Sequence, residues 1–247
     1  MATFVLVHSP LVGPLTWKPV ADKLGRKGFN AVVPVLLSEE VQPPYWKRHA
    51  GAVAESLRDL PPSEPVILVA HSGAGPLLPA VRTQVGYGVV GYIFVDAALP
   101  GPDGASRLDL LRSSSEAAGR FRARAKDGLL LVWTQLFDVT DEMLHEIIPD
   151  PTLRRDFVKE LRPIPLAVYE EPLPVFPGWP DGPCGYLKCS QVYDPEAAKA
   201  RRNGWPVLEL QGNHFHMLVE PEAVAQALVH LVRHGRSKAV GERRRGP

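Results

Sequence analysis

Apolar residues fall along this chain in short, nearly unbroken runs separated by longer stretches of helical period. The runs lie at Thr3–Val7, 30–35, 65–69, 89–95, 185–189 and 206–210, and most are rich in β-branched residues. Strands that are apolar at consecutive positions belong to a parallel sheet covered on both faces. Between the runs the period changes. Residues 17–27 carry Val20, Ala21 and Leu24 on one stripe and stop at Gly28, and residues 46–60 carry Ala50, Val53, Ala54 and Leu57. Further helices are predicted over 73–85, directly after the third run, and over 221–234, closed by Gly235. Strand and helix in alternation predict βαβ units and a doubly wound, mostly parallel α/β sheet.

The alternation breaks between 100 and 183. Residues 101–106 are turn-rich, 108–136 and 140–161 read as helices, and 163–183 is dense in proline and aromatics, with no convincing strand. The segment reads as a helical insertion between the fourth and fifth strands, either a cap over a cleft or extra packing. A chain of 247 residues accommodates this in one domain. The expected organisation is a single α/β domain over 1–247, with 100–183 as helical cap and 235–247 as a basic flexible tail. Arg236, Lys238, Arg243, Arg244 and Arg245 mark that tail as a solvated end.

Composition narrows the function. The formal net charge is +1, which calls for neither nucleic acid nor an acidic surface. No apolar stretch reaches membrane-spanning length, and the first apolar run is too short for a signal peptide and lacks a basic leader. Cys184 and Cys189 sit in an apolar run with no His or Cys at metal-ligand spacing; free buried thiols in a reducing cytoplasm are expected. No glycine-rich phosphate loop, nucleotide fingerprint or metal cluster is visible. The expectation is a small-molecule substrate, no cofactor, no metal, no nucleic acid and no membrane, with the oligomeric state open.

Two segments carry chemistry. In Val66-Ile67-Leu68-Val69-Ala70-His71-Ser72-Gly73-Ala74-Gly75-Pro76-Leu77 an apolar strand runs into small-His-Ser-Gly-small and then a helix. A nucleophile elbow needs this sequence: the turn is so tight that only small residues fit two before and two after the nucleophile. The serine is held in a strained conformation at a helix N-terminus, which favours negative charge. Ser72 is the candidate nucleophile, Gly73 the donor of an oxyanion N–H; the plainer alternative is a strand–helix turn with Ser72 as N-cap. In Glu209-Leu210-Gln211-Gly212-Asn213-His214 a strand ends, a glycine turns the chain and a histidine follows. A general base for Ser72 belongs on such a loop, which makes His214 the candidate. His216 shares its side-chain parity if the loop is extended, and would then line the same cavity.

The elbow, the His8-Ser9-Pro10 turn after the first strand and the Gly212-Asn213-His214-Phe215 loop together resemble the α/β-hydrolase superfamily, and within it the small esterase and hydroxynitrile-lyase-like branch. Residues 100–183 match only as a generic helical cap. The resemblance implies a carboxylate after the strand preceding the histidine strand. Here Ser190 and Gln191 stand there, and the first carboxylate is Asp194, which equally suits a helix N-cap with Pro195 at N1. The favoured alternative is Asp96, at the end of the strand after the elbow helix, where some branches place their acid and where burial demands a partner. The resemblance also implies a backbone donor at the third residue of the first turn. That residue is Pro10, which has no N–H, so a second oxyanion donor must come from the Ser9 hydroxyl, the Leu11 N–H or a shifted turn.

Trp133, Phe137, Tyr169, Phe176 and Trp179 would wall an apolar pocket or simply form the core of the cap, and Glu170 and Glu171 read as a solvated turn. These residues predict a serine hydrolase acting on a carboxylic ester, thioester or lactone of a small to medium apolar substrate through a Ser72-His214-Asp96 triad. The alternative is a cofactor-independent lyase, cyclase or isomerase that uses Ser72 and His214 as acid–base groups; a serine beside Pro10 resembles the branch that uses threonine there for lyase chemistry. A binding protein on an inactive hydrolase fold is a third reading, against which the retained Ser72 and His214 weigh.

Overall fold

The computed structural model describes residues 2–36, 42–111 and 115–243. The chain opens with β1 (Thr3–Val7), a 3-10 turn at Pro14–Thr16, α1 (Lys18–Arg26), β2 (Ala31–Val32), α2 (Tyr45–Glu55) and β3 (Val66–Ser72). A 3-10 turn at Gly75–Leu77 leads into α3 (Leu78–Gln84), and β4 (Val89–Ala97) follows. The insertion contains α4 (Arg107–Leu110), α5 (Ser115–Ala123), β5 (Ala125–Lys126), β6 (Leu129–Leu130), α6 (Trp133–Leu136), α7 (Asp141–Ile147), α8 (Pro151–Glu160), β7 (Ile164–Pro165) and α9 (Ala167–Glu170). The chain then returns through β8 (Cys184–Lys188), α10 (Asp194–Arg202), β9 (Val207–Glu209), α11 (His216–Val219) and α12 (Pro221–Arg243).

The main sheet has the order β2-β1-β3-β4-β8-β9, and every pairing in it is parallel. Its strands are apolar at consecutive positions because both faces are covered. Phe4, Leu6, Ile67, Val69, Ile93 and Val95 point to the core beneath α1 and α12, with Leu24, Val224, Leu228 and Leu231. Their neighbours Val5, Val7, Leu68, Ala70, Tyr92 and Phe94 point to the opposite core beneath α2, α3 and α10, with Val53, Leu78, Val81 and Ala197. The doubly wound α/β architecture expected from the alternation is therefore present.

Two expectations need correction. The helix predicted across 108–136 is broken, and a three-stranded antiparallel sheet, β5-β6-β7, stands where no strand was expected. Asp127 and Gly128, with φ of 51° and 78°, turn β5 into β6, and an Asp-Gly pair is a strong two-residue hairpin signal. Helix α12 also runs through the expected stop at Gly235 as far as Arg243, so this part of the presumed flexible tail is helical. One glycine in a helix interior costs only about 1 kcal/mol relative to alanine. Residues 244–247 lie outside the described residues.

The insertion is packed on the rest of the molecule. Phe121, Trp133, Leu136, Phe157 and Tyr169 belong to the same apolar cluster as the α1 and α12 side of the sheet. Through Phe215, which contacts Trp133 and Phe157 edge-on at centroid distances of 4.8 Å and 4.9 Å, it joins the loop that follows β9.

Candidate active site

The chain leaves β1 toward β2 on one side and comes back to β3 on the other, and this reversal of strand order opens a crevice at the carboxyl ends of the strands. Ser72 closes β3 with φ 55°, and Asp96 lies near the end of β4 with φ 41°. Left-handed backbone at such residues costs on the order of 1–3 kcal/mol and persists only where the surroundings enforce it. At the elbow the enforcement is steric. Ala70 and Ala74 are fully buried, and a Cβ on Gly75 would stand 1.9 Å from the Ala98 carbonyl oxygen.

Asp96 is wholly buried and draws four hydrogen bonds. Its Oδ1 accepts from the Cys189 and Ser190 N–H groups at 2.6 Å and 3.0 Å, and its Oδ2 accepts from Ser190 Oγ at 2.5 Å and from His214 Nδ1 at 3.2 Å. A proton on Nδ1 leaves His214 Nε2 as the basic nitrogen. Asp194 goes elsewhere: its carboxylate pairs with Lys188 Nζ at 2.6 Å, and its side chain does not cap α10.

Two residues absent from the sequence-based site hold this constellation. His71, the residue before Ser72, lies with its ring centroid 4.4 Å from that of His214, and its Nε2–H donates to the His214 carbonyl at 2.9 Å. Burial first, and His214 second, hold its pKa well below the ordinary histidine range, so it acts as a neutral brace. Tyr193 stacks on His214 at 5.2 Å with 13° between the planes, and its hydroxyl lies 3.2 Å from Ser72 Oγ. Burial pushes its phenol pKa up, which keeps the hydroxyl protonated. Its place in the loop after β8, at the carboxyl edge of the sheet, was the one signal available in the sequence.

The other side of Ser72 is built from β1 and the insertion. His8 is buried and both ring nitrogens are engaged by backbone: Nδ1–H donates to the Ser9 carbonyl at 2.8 Å, and Nε2 accepts from the Leu36 N–H at 3.2 Å. Burial lowers its pKa to about 4, and it braces the turn without lining the cavity. Ser9 is buried behind Gly73, and the Leu11 N–H reaches its Oγ at 3.4 Å. The buried Arg107 donates from Nε to the Gly73 carbonyl at 2.9 Å and from Nη1 to the Val168 carbonyl at 2.8 Å. Glu171 is no solvated turn residue: it accepts from the Tyr45 N–H at 2.7 Å and faces Arg107.

Leu11, Ser72, Gly73, Tyr169, Tyr193 and His214 face one cavity of about 300 Å³, whose remaining walls are chiefly apolar and include Trp133 and Phe137. Phe176 and Trp179 are not among them; Trp179 packs on Tyr92, and Phe176 on Trp179. His216 is also absent. The loop is not extended but coils, with the His216 N–H bonded to the Asn213 carbonyl at 3.0 Å, so the parity argument does not apply and the ring packs against Gly212.

A family model described as the alpha/beta hydrolase family matches residues 4–227. No curated protein matches the sequence. Among solved structures, an extracellular alpha/beta-hydrolase from a Paenibacillus species superposes with a TM-score of 0.74 at 20% identity, covering 94% of this chain and 99% of that one. Tomato methylketone synthase I, complexed with 2-tridecanone, gives 0.67 at 14% identity over 95% and 98% of the two chains. A pyrethroid hydrolase from Sphingobium faniae gives 0.65 at 18% identity over 94% and 97%. At these identities the likeness is one of fold.

Proposed function

Because this chain belongs to the alpha/beta hydrolase family, we propose that it is a serine hydrolase acting on a carboxylic ester, thioester or lactone of a small to medium apolar substrate. Ser72 is the nucleophile, His214 its base and Asp96 the carboxylate that orients the base. The observation that carries this reading is the His214–Asp96 hydrogen bond beside a strained serine that opens on an apolar cavity. His214 Nε2 takes the Ser72 proton as Oγ attacks the carbonyl, and the Gly73 N–H stabilises the oxyanion. The leaving group departs with the proton from His214, and water activated by the same nitrogen releases the acid. The Ser72 hydroxyl rests on Tyr193 before substrate arrives, and catalytic hydrogen bonds commonly tighten only in the complex. The cavity volume is at the lower end for small-molecule sites, which supports a modest acyl group.

A second reading, a cofactor-independent lyase, cyclase or isomerase with Ser72 and His214 as acid–base groups, draws on Pro10, which leaves the first turn short of a backbone donor. The test is turnover of short-chain p-nitrophenyl esters in ¹⁸O-labelled water. Hydrolysis places the label in the product acid, and Ser72→Ala is expected to fold normally and lose at least about a thousandfold in rate. Ser72→Ala turning over at the wild-type rate overturns the serine hydrolase reading.

A further inference from the structure

Pro10 removes a backbone donor from the turn, yet the same wall of the cavity carries a hydroxyl that no part of the scheme above uses. Tyr169 sits on α9, is 4% exposed and faces the cavity with Ser72, Gly73 and His214. Its Oη lies 2.8 Å from the point a Cβ on Gly73 would occupy, and Ser9 Oγ lies 3.3 Å from that point. Ser9 and Tyr169 thus flank Gly73 from the turn after β1 and from α9. Arg107 fixes the pair from behind: it binds the Gly73 and Val168 carbonyls, and its guanidinium carbon is 5.9 Å from the centre of the Tyr169 ring. Tyr193, the other phenol near Ser72, stands on the opposite side with β8 and His214, where the base and leaving group belong.

We infer that the Tyr169 hydroxyl is the second oxyanion donor of this protein, standing in for the N–H that Pro10 lacks. The inference rests on the serine hydrolase reading. In this scheme the Leu11 N–H, which reaches Ser9 Oγ at 3.4 Å, the Ser9 O–H and the Tyr169 O–H pass polarisation on to the substrate oxygen. As the Ser72 Oγ–carbon bond forms, the carbonyl π pair moves onto oxygen, which accepts hydrogen bonds from the Gly73 N–H and the Tyr169 O–H. No proton leaves the phenol, whose pKa burial raises. Ser9 is a positioning residue in this scheme. Glycine at 73 is required because a side chain there would meet the phenol.

The test compares wild type, Tyr169→Phe and Ser9→Ala in ester hydrolysis and in binding of an alkylboronic acid, which forms a tetrahedral adduct on the nucleophile, and of the inert ether analogue of the substrate. Tyr169→Phe is expected to lower kcat on the order of a hundredfold, the scale of one lost oxyanion donor. Boronate affinity should fall in parallel, while KM and ether binding stay put. Ser9→Ala should show the same pattern with a smaller loss. Rates and boronate affinity within about threefold of wild type in Tyr169→Phe, far short of a lost donor, overturn the inference alone. So does an equal loss of ether binding, which is the mark of packing. A wild type that neither hydrolyses esters nor forms the adduct on Ser72 overturns the hydrolase reading and this inference together.

Discussion

Tyr193 holds the hydroxyl that His214 is proposed to deprotonate. One neutral hydrogen bond contributes about 0.5–1.5 kcal/mol, so the phenol biases the Ser72 rotamer without locking it. Tyr193→Phe is therefore expected to raise the rate of Ser72 phosphonylation a few-fold, roughly the worth of that bond. Loss of more than about tenfold, beyond one such bond, would instead make the phenol part of the reacting machinery. At Asp96 the position was readable because a lone carboxylate between Val95 and Ala97 in an apolar strand needs a partner. The reason it reaches His214 was not readable. β4 and β8 are neighbours, with Val95 opposite Leu187, so a carboxylate at the end of either strand approaches the same loop, and the Cys189 and Ser190 N–H groups close around it. Tyr169 read only as a pocket wall or cap core, and Tyr193 drew no reading, because where their hydroxyls lie depends on distant segments meeting beside Ser72.

Both neutral histidines, His8 and His71, tie an active-site loop to another segment. Each is buried uncharged, with its pKa below the ordinary value, to about 4 for His8. Between about pH 6.5 and 4 the unfolded chain binds protons on these residues that the fold refuses, so stability falls as the pH drops through that window. The slope is at most about 1.4 kcal/mol per pH unit for each histidine. Urea midpoints should decline from pH 7.5 to pH 5, and His8→Gln should decline less steeply; equal midpoints for wild type at the two pH values would contradict the assignment. Elements whose faces are both buried were legible because consecutive apolar residues leave little choice of strand. β5, β6 and β7 have two residues each, too few for a period, and only Asp127-Gly128 announced them. Helix α12 outran its expected end because glycine is a weak stop without the αL conformation that makes it a cap.

At the scale of the whole molecule, a sheet made rigid by two apolar cores carries Ser72, Asp96 and His214 on three different strand ends or the loops beyond them, and the insertion closes the space above them. That division explains what could be read in advance. Strand-end chemistry follows from local motifs, whereas cavity walls come from residues far apart in sequence, such as Leu11, Trp133 and Val192. Division of labour also locates the central claim: the sheet presents one serine as a nucleophile. The most direct measurement is mass spectrometry of the wild-type protein treated with an alkyl fluorophosphonate, followed by peptide mapping. The account predicts a single adduct on Ser72, strongly suppressed in His214→Ala. A protein that stays unmodified under conditions that label an active serine hydrolase, or that is modified at another residue, would contradict it.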